Sequence, residues 1–262
     1  MRADSAKIQS TLPFRARRSS SAINAIVRDK IQPQDRLIVA LDLPSAGDAR
    51  NFVIKLGDSV TFYKVGLELF VADGYFELVS WLTGEGKKVF VDLKFFDVPE
   101  TVRAAVRGLR NRGITFATVH GNQSMLEAAS SEKGEVKSLA VTVLTSLDRD
   151  DLDDLGFQCD VEKLVLSRAR RAMQAGCDGV IASGLEARVI KQEIGNGMLV
   201  VTPGIRPVEN RPVDDQKRTV EVAQAFQNGA DYIVVGRPIR NATDPRTAAL
   251  AIQRTVSLQF PD

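Results

Sequence analysis

Three charged residues, Asp92, Lys94 and Asp97, fall within six positions of the stretch VFVDLKFFDVPET (Val89–Thr101), at the end of a run that otherwise reads as a buried strand. Charges of both signs are costly in such a place unless they pair. A fixed ammonium beside a fixed carboxylate suits delivery of a proton to a carbanion that develops during reaction. Side chains alternate along a strand, so Phe90, Asp92 and Lys94 share one face and Val89, Val91 and Leu93 the other. Two further strand-like runs end in the same way: RLIVALD at Asp42, with Ile38 and Ala40 on its face, and VTFYKVG at Lys64, with Phe62 below. Taken singly, each charge reads more simply as part of a solvated rim. As a set, Lys64, Asp92, Lys94 and Asp97 alternate in sign and can neutralise one another, which would keep Lys94 charged and Asp92 ionised in an enclosed site.

A second constellation lies near the C-terminus, where VTPGIRP and VVGRP end two more strand-like runs. Arg237 supplies a planar fork, Gly236 leaves room for backbone N–H groups to approach, and Gln216 on the intervening loop can donate from its amide. This chemistry fits a phosphate ester. Between Ile205 and Gln216 the segment IRPVENRPVDDQ has three prolines and no core periodicity. It reads as a long functional loop able to close over that phosphate, with a rigid surface connection as the alternative.

The elements that must position these residues repeat from Arg36 onward. Eight short runs rich in β-branched residues appear at RLIVALD, VTFYKVG, KKVFVDLK, ITFATVH, SLAVTVLTS, DGVIASG, MLVVTPG and DYIVVGR. Segments of helical period lie between them, such as GYFELVSWL, ETVRAAVRGLRNR, VEKLVLSRARRAMQA and RTVEVAQAFQN. Several end in a glycine directly before the next strand, as at Gly113, Gly176 and Gly229. Eight strand-then-helix units predict an α/β fold, a single-domain (β/α)8 TIM barrel over residues 34–262. An open doubly wound sheet would carry a glycine-rich loop after its first strand, whereas ALDLPSAGD has an acid and a proline. In a barrel the charged ends point into the C-terminal mouth, where this fold keeps its chemistry, and the loops after the last two strands form its usual phosphate grip.

Composition narrows the function classes. A chain of 262 residues with 44% hydrophobic side chains can fill one large core. The net charge is +2, but residues 1–33 carry seven basic side chains against two acidic ones, so that segment is +5 and the rest −3. A weakly acidic body with no basic stripe is not a nucleic-acid platform. No apolar run reaches membrane-spanning length and the start lacks the apolar core of a secretory signal, so a soluble cytoplasmic protein with no membrane partner is expected. Residues 1–33, with RARRSSS at their centre, read as a disordered N-terminal extension, the alternatives being an organellar transit peptide or a start codon called too early. Cys159 and Cys177 lack the neighbours of a metal site and read as plain thiols.

The motifs ALD, YKVGLELF, DLKFFDVPET, TVLTS, TPGIRP and VGRPI, in this order and at these intervals, resemble the orotidine 5'-phosphate decarboxylase family, bacterial type. The resemblance runs from about Arg36 to the last helix, and DLKFFDVPET is its most specific piece. It implies cofactor-free, metal-free decarboxylation of orotidine 5'-phosphate to uridine 5'-phosphate in de novo pyrimidine synthesis. Lys94 would be the proton donor to the ring carbon that loses carbon dioxide, with Asp92 beside the departing carboxylate and Lys64 and Asp97 completing the network. Asp42 and Lys64 match ribose-binding positions, Thr145 a pyrimidine contact, and Arg206, Gln216, Gly236 and Arg237 the closing loop and phosphate grip. The family's usual homodimer implies that Asp97 and Thr101 enter the neighbouring subunit's site.

Phe96 stands where bacterial relatives often have histidine and Val98 where isoleucine is common, and neither change removes a charge. The interval from Arg206 to Gln216 suggests a one-residue insertion. His120, the single histidine, reads equally as a substrate contact or as a polar partner at the mouth. Two other functions fit the pattern less well. A metal-dependent sugar-phosphate lyase of the wider group needs an acidic ligand near the end of the second strand, where Lys64 stands and would repel the metal. A catalytically silent nucleotide-binding barrel would have little use for all four mouth charges.

Overall fold

The computed structural model describes residues 31–206 and 217–261. Most of the expected N-terminal extension, most of the proline-rich segment and Gln216 lie outside the described residues. The eight expected strands all form: β1 (Leu37–Ala40), β2 (Phe62–Gly66), β3 (Lys88–Phe95), β4 (Ile114–Val119), β5 (Lys137–Val141), β6 (Gly179–Ile181), β7 (Leu199–Thr202) and β8 (Tyr232–Val235). Each pairs in parallel with its sequence neighbour, and β8 returns to β1 in the register Leu37 to Ile233. The sheet is therefore a closed (β/α)8 barrel, and the open doubly wound alternative is excluded.

Strand alternation separates two packed layers. Val89 and Val91 of β3, with Leu37, Val39, Tyr63 and Val65, face outward and bury against Leu78 and Leu82 of the helix Tyr75–Gly84 and Ile252 and Val256 of the helix Pro245–Gln259. Burying each such aliphatic side chain is worth roughly 1.5–3 kcal/mol relative to exposure, so this layer carries much of the fold's stability. Inside the barrel, Phe62, Phe116 and Tyr232 meet edge to face or tilted, with ring centroids 5.1–5.9 Å apart, and Phe90 joins at 6.0 Å from Phe116. This aromatic plug is the floor on which the next inward layer, Lys64 above Phe62 and Asp92 above Phe90, stands.

Gly113 and Gly176 precede their strands with φ of 70° and 81°, a left-handed turn that L side chains rarely adopt. Two expected helices are shorter than their patterns. ETVRAAVRGLRNR is helical only over Pro99–Arg107, because the chain turns at Gly108 and Asn111 takes a φ of 61°. RTVEVAQAFQN is helical only over Val222–Gln227. Its first residues instead run beside the end of β7: Ile205 bridges Val220, and the Arg206 N–H donates to the Val220 carbonyl at 3.0 Å. At the opposite end of the barrel, buried Asp35 accepts from Lys88 Nζ at 2.5 Å and Thr61 Oγ1 at 2.8 Å, which ties the turn Pro33–Arg36 to β2 and β3.

Candidate active site

The C-terminal ends of the strands surround a cavity of about 610 Å³. Asp42, Lys64, Asp92, Lys94, Thr145, Arg206, Gly236 and Arg237 all line it, so eight of the expected site residues, drawn from six strand ends, come together. Asp97 and Thr101 do not line it. Asp97 is exposed, and its Oδ1 accepts from the Val98 N–H at 2.6 Å, the start of the helix that carries Thr101. Within this chain the charge network is thus Asp42, Lys64, Asp92 and Lys94, and the expected fourth partner Asp97 points elsewhere.

Asp92 is the hub. Its Oδ1 accepts from Lys94 Nζ at 2.9 Å and from Thr118 Oγ1 at 2.9 Å, while Lys64 Nζ lies 3.4 Å from its Oδ2. Lys64 Nζ also donates to Asp42 Oδ1 at 3.1 Å. Burial opposes ionisation of Asp92, but the two ammonium groups and the donated hydrogen bonds overcome it and hold its carboxyl below the usual carboxylate range. Burial likewise opposes charge on Lys64, and Asp92 and Asp42 reverse that and raise its pKa. Gly66 makes the geometry possible. A Cβ there would lie 3.1 Å from Lys64 Nζ, so any larger residue would press on the ammonium.

The backbone delivers Lys94 to this hub by a route the alternation rule does not contain. The pairing of β3 with β4 skips Thr115 between Val89 opposite Ile114 and Phe90 opposite Phe116, reaches Val91 opposite Ala117, then resumes only at Phe95 opposite Val119. Asp92, Leu93 and Lys94 bulge out against Thr118 alone, and Lys94 takes a φ of 50°, in the left-handed region. Its backbone N–H donates to Thr118 Oγ1 at 2.9 Å instead of to a strand carbonyl.

His120 is not among the cavity-lining residues. It packs edge to face on Phe96, with centroids 5.4 Å apart. Burial first, then the charges of Arg168 and Lys94, depress its pKa and keep it neutral near pH 7. Sequence reasoning missed Arg240 and Ser146, which also line the cavity. Arg240 was within reach: it sits three residues after Arg237, one turn along the short helix Arg237–Arg240, and its guanidinium donates to the Asp42 carbonyl. Arg218 was missed as well. Buried with Glu186 as an ion pair, it donates to the carbonyls of Val143 at 3.0 Å and Leu144 at 2.9 Å, and its own N–H donates to the Thr145 carbonyl at 3.2 Å. It thereby fixes the chain that presents Thr145.

No group of His, Cys, Asp and Glu suited to a metal ion exists among the described residues. Nor is any described helix long and apolar enough to cross a membrane.

The profile of the orotidine 5'-phosphate decarboxylase / HUMPS family matches residues 35–252. The chain is 63% identical over 233 residues to an orotidine 5'-phosphate decarboxylase of Methylococcus capsulatus, covering 89% of this chain and 96% of that one. It is 50% identical over 230 residues to the enzyme of the same name from Stenotrophomonas maltophilia, covering 87% and 95%. Among solved structures, the orotidine 5'-phosphate decarboxylase of Lactobacillus acidophilus superposes with a TM-score of 0.75 at 38% identity, over 85% of this chain and 99% of that one. With a closed eight-stranded barrel, a four-charge mouth and a profile match across nearly all of the barrel, the chain belongs to the orotidine 5'-phosphate decarboxylase / HUMPS family.

Proposed function

We propose that this chain decarboxylates orotidine 5'-phosphate to uridine 5'-phosphate and carbon dioxide without a cofactor, with Lys94 as the proton donor. The observation that carries the reading is the Lys94 ammonium held 2.9 Å from Asp92 on one wall of the cavity, while Arg206 and Arg237 line the same cavity. The arginines suit the phosphate, Asp42 and Lys64 the ribose, and Thr145 the pyrimidine ring. As the carbon–carboxylate bond breaks, its electron pair stays on the ring carbon. The ammonium lowers the energy of that negative charge and then transfers a proton to the same carbon, and carbon dioxide departs. Lys94 is left neutral and takes up a proton from solvent. Asp92 holds the Lys94 amine in place until that moment.

A metal-dependent lyase of the wider family is disfavoured by the donor set. The Lys64 ammonium occupies the space between Asp42 and Asp92 that a divalent cation would claim. The reading also includes a homodimer in which Asp97 and Thr101 complete the neighbouring subunit's site. Asp97 is free of its own chain's mouth network and is flanked by Phe96 and Val98, 65% and 60% exposed, an apolar pair suited to an interface. As an enzyme of de novo pyrimidine synthesis it would act in the cytoplasm. Incubating the purified protein with orotidine 5'-phosphate, with and without a chelator, tests the reaction. Release of carbon dioxide at a rate the chelator leaves unchanged is expected. Absence of turnover, or its loss with chelator, contradicts the reading.

A further inference from the structure

We propose that Thr118 is a positioning residue for the Asp92 and Lys94 pair, its single hydroxyl fixing both the backbone of the proton donor and the carboxylate that orients it. The inference rests on the role of Lys94 given above.

Thr118 is the penultimate residue of β4, on the inward face above Phe116, and is fully buried. A threonine there reads as an ordinary strand residue, yet its hydroxyl is fully used. Oγ1 accepts the Lys94 backbone N–H at 2.9 Å and donates its proton to Asp92 Oδ1 at 2.9 Å. The bulge explains why a side chain is needed. Between Val91 and Phe95 the β3–β4 ladder is interrupted, so the Lys94 N–H has no strand carbonyl to meet. The left-handed φ of 50° costs a lysine energy that glycine would not spend, and it persists only where the surroundings dictate it. The Thr118 hydroxyl supplies that constraint and also spans the bulge to Asp92, so the amide and the carboxylate on either side of Leu93 are held by one oxygen. Thr118 is absent from the cavity lining, so it acts through Asp92 and Lys94 rather than on substrate.

The test is steady-state kinetics of Thr118→Val, which keeps the shape and β-branching of the side chain and removes both hydrogen bonds. Loss of bonds to a charged group and its backbone should lower kcat about ten- to a hundredfold. KM and the affinity for uridine 5'-phosphate should stay within about threefold of wild type, since uniform binding is untouched. Thr118→Ser, which keeps the hydroxyl, should restore most of the lost kcat. A wild-type kcat in Thr118→Val overturns the proposal, and so does a defect that serine fails to rescue or that appears in KM alone. Thr118→Ala is the second hydroxyl-free variant if valine does not fold. Failure of both to fold would make the hydroxyl structural and also overturn it. Lys94→Ala is measured in the same series. If it is inactive while Thr118→Val is fully active, only the positioning role falls. If Lys94→Ala is active, the role of Lys94 falls and this inference with it.

Discussion

Lys94 Nζ lies 2.9 Å from Asp92 Oδ1, and the two residues are only two positions apart on a strand that bulges between them. Lys64 stands at the carboxylate's other oxygen, so one buried anion is shared by two cations, and Lys64 has Asp42 as a second partner. The arrangement fixes the Lys94 amine at the cavity wall, against one oxygen of Asp92.

This sharing has a pH signature. The folded pKa of Asp92 lies below its unfolded value, so its contribution to stability is complete above the ordinary carboxylate pKa and is lost as pH falls through the folded value. Replacing Asp92 with Asn leaves two ammonium groups facing a neutral amide and should cost about 3–5 kcal/mol near neutrality. The gap in Tm between wild type and Asp92→Asn should be constant through neutral pH and narrow below about pH 4, as wild type is itself protonated. A gap that widens on acidification would contradict the assignment of Asp92 as the ionised hub.

The Arg218 and Glu186 pair should behave as a buried unit. Arg218 and Glu186 are 8% and 5% exposed, and burial raises the Glu186 carboxyl pKa even with Arg218 opposing it. Arg218→Leu should destabilise the protein by about 3–5 kcal/mol because it strands a buried carboxyl, and the double variant Arg218→Leu/Glu186→Leu should recover part of that loss. Urea denaturation of these two variants and of Glu186→Leu measures both. If the losses are additive, the pair is not coupled.

Subunit sharing can be read by complementation. Asp97→Ala and Lys94→Ala should each be inactive, yet mixing them should restore activity, because a mixed dimer holds one site with both defects and one with neither. Random exchange gives about half mixed dimers, so recovery should approach roughly a quarter of wild-type activity when the two sites work independently. Native mass spectrometry confirms that exchange has occurred. Complete exchange with no activity would place Asp97 at work in its own chain.

The barrel was legible because its cues are local. Eight β-branched runs and left-handed glycines such as Gly113 and Gly176 each report on a few neighbouring residues. The inward set Asp42, Lys64 and Asp92 followed from alternation, since the pairing of β2 with β3 is regular up to Asp92. Lys94 was assigned to the right face, but the bulge and its positive φ were invisible, because they depend on pairing with β4 rather than on the composition of β3. Thr118 and Arg218 escaped for a related reason. Each looks like an ordinary strand or helix residue until a partner distant in sequence, Asp92 or Glu186, is brought against it. Asp97 was grouped with the mouth charges by proximity in sequence, whereas the turn before Pro99 carries it out of its own chain's cavity. The expectation for Gln216 falls outside the described residues.

The central claim is that the Lys94 ammonium carries the chemistry. Lys94→Ala removes it without touching the aromatic floor or the arginines, and no other cavity cation shares its position at Asp92 Oδ1 among the described residues. The decisive measurement is kcat of Lys94→Ala with orotidine 5'-phosphate, made on protein whose unchanged fold is verified by circular dichroism and whose binding of uridine 5'-phosphate is verified by calorimetry. General acid catalysis alone is worth about 10²–10⁴-fold, and lost charge stabilisation adds to it, so a fall of at least that size is expected. Retention of more than about a tenth of the wild-type kcat would contradict the account, since that loss is too small for the group that delivers the proton.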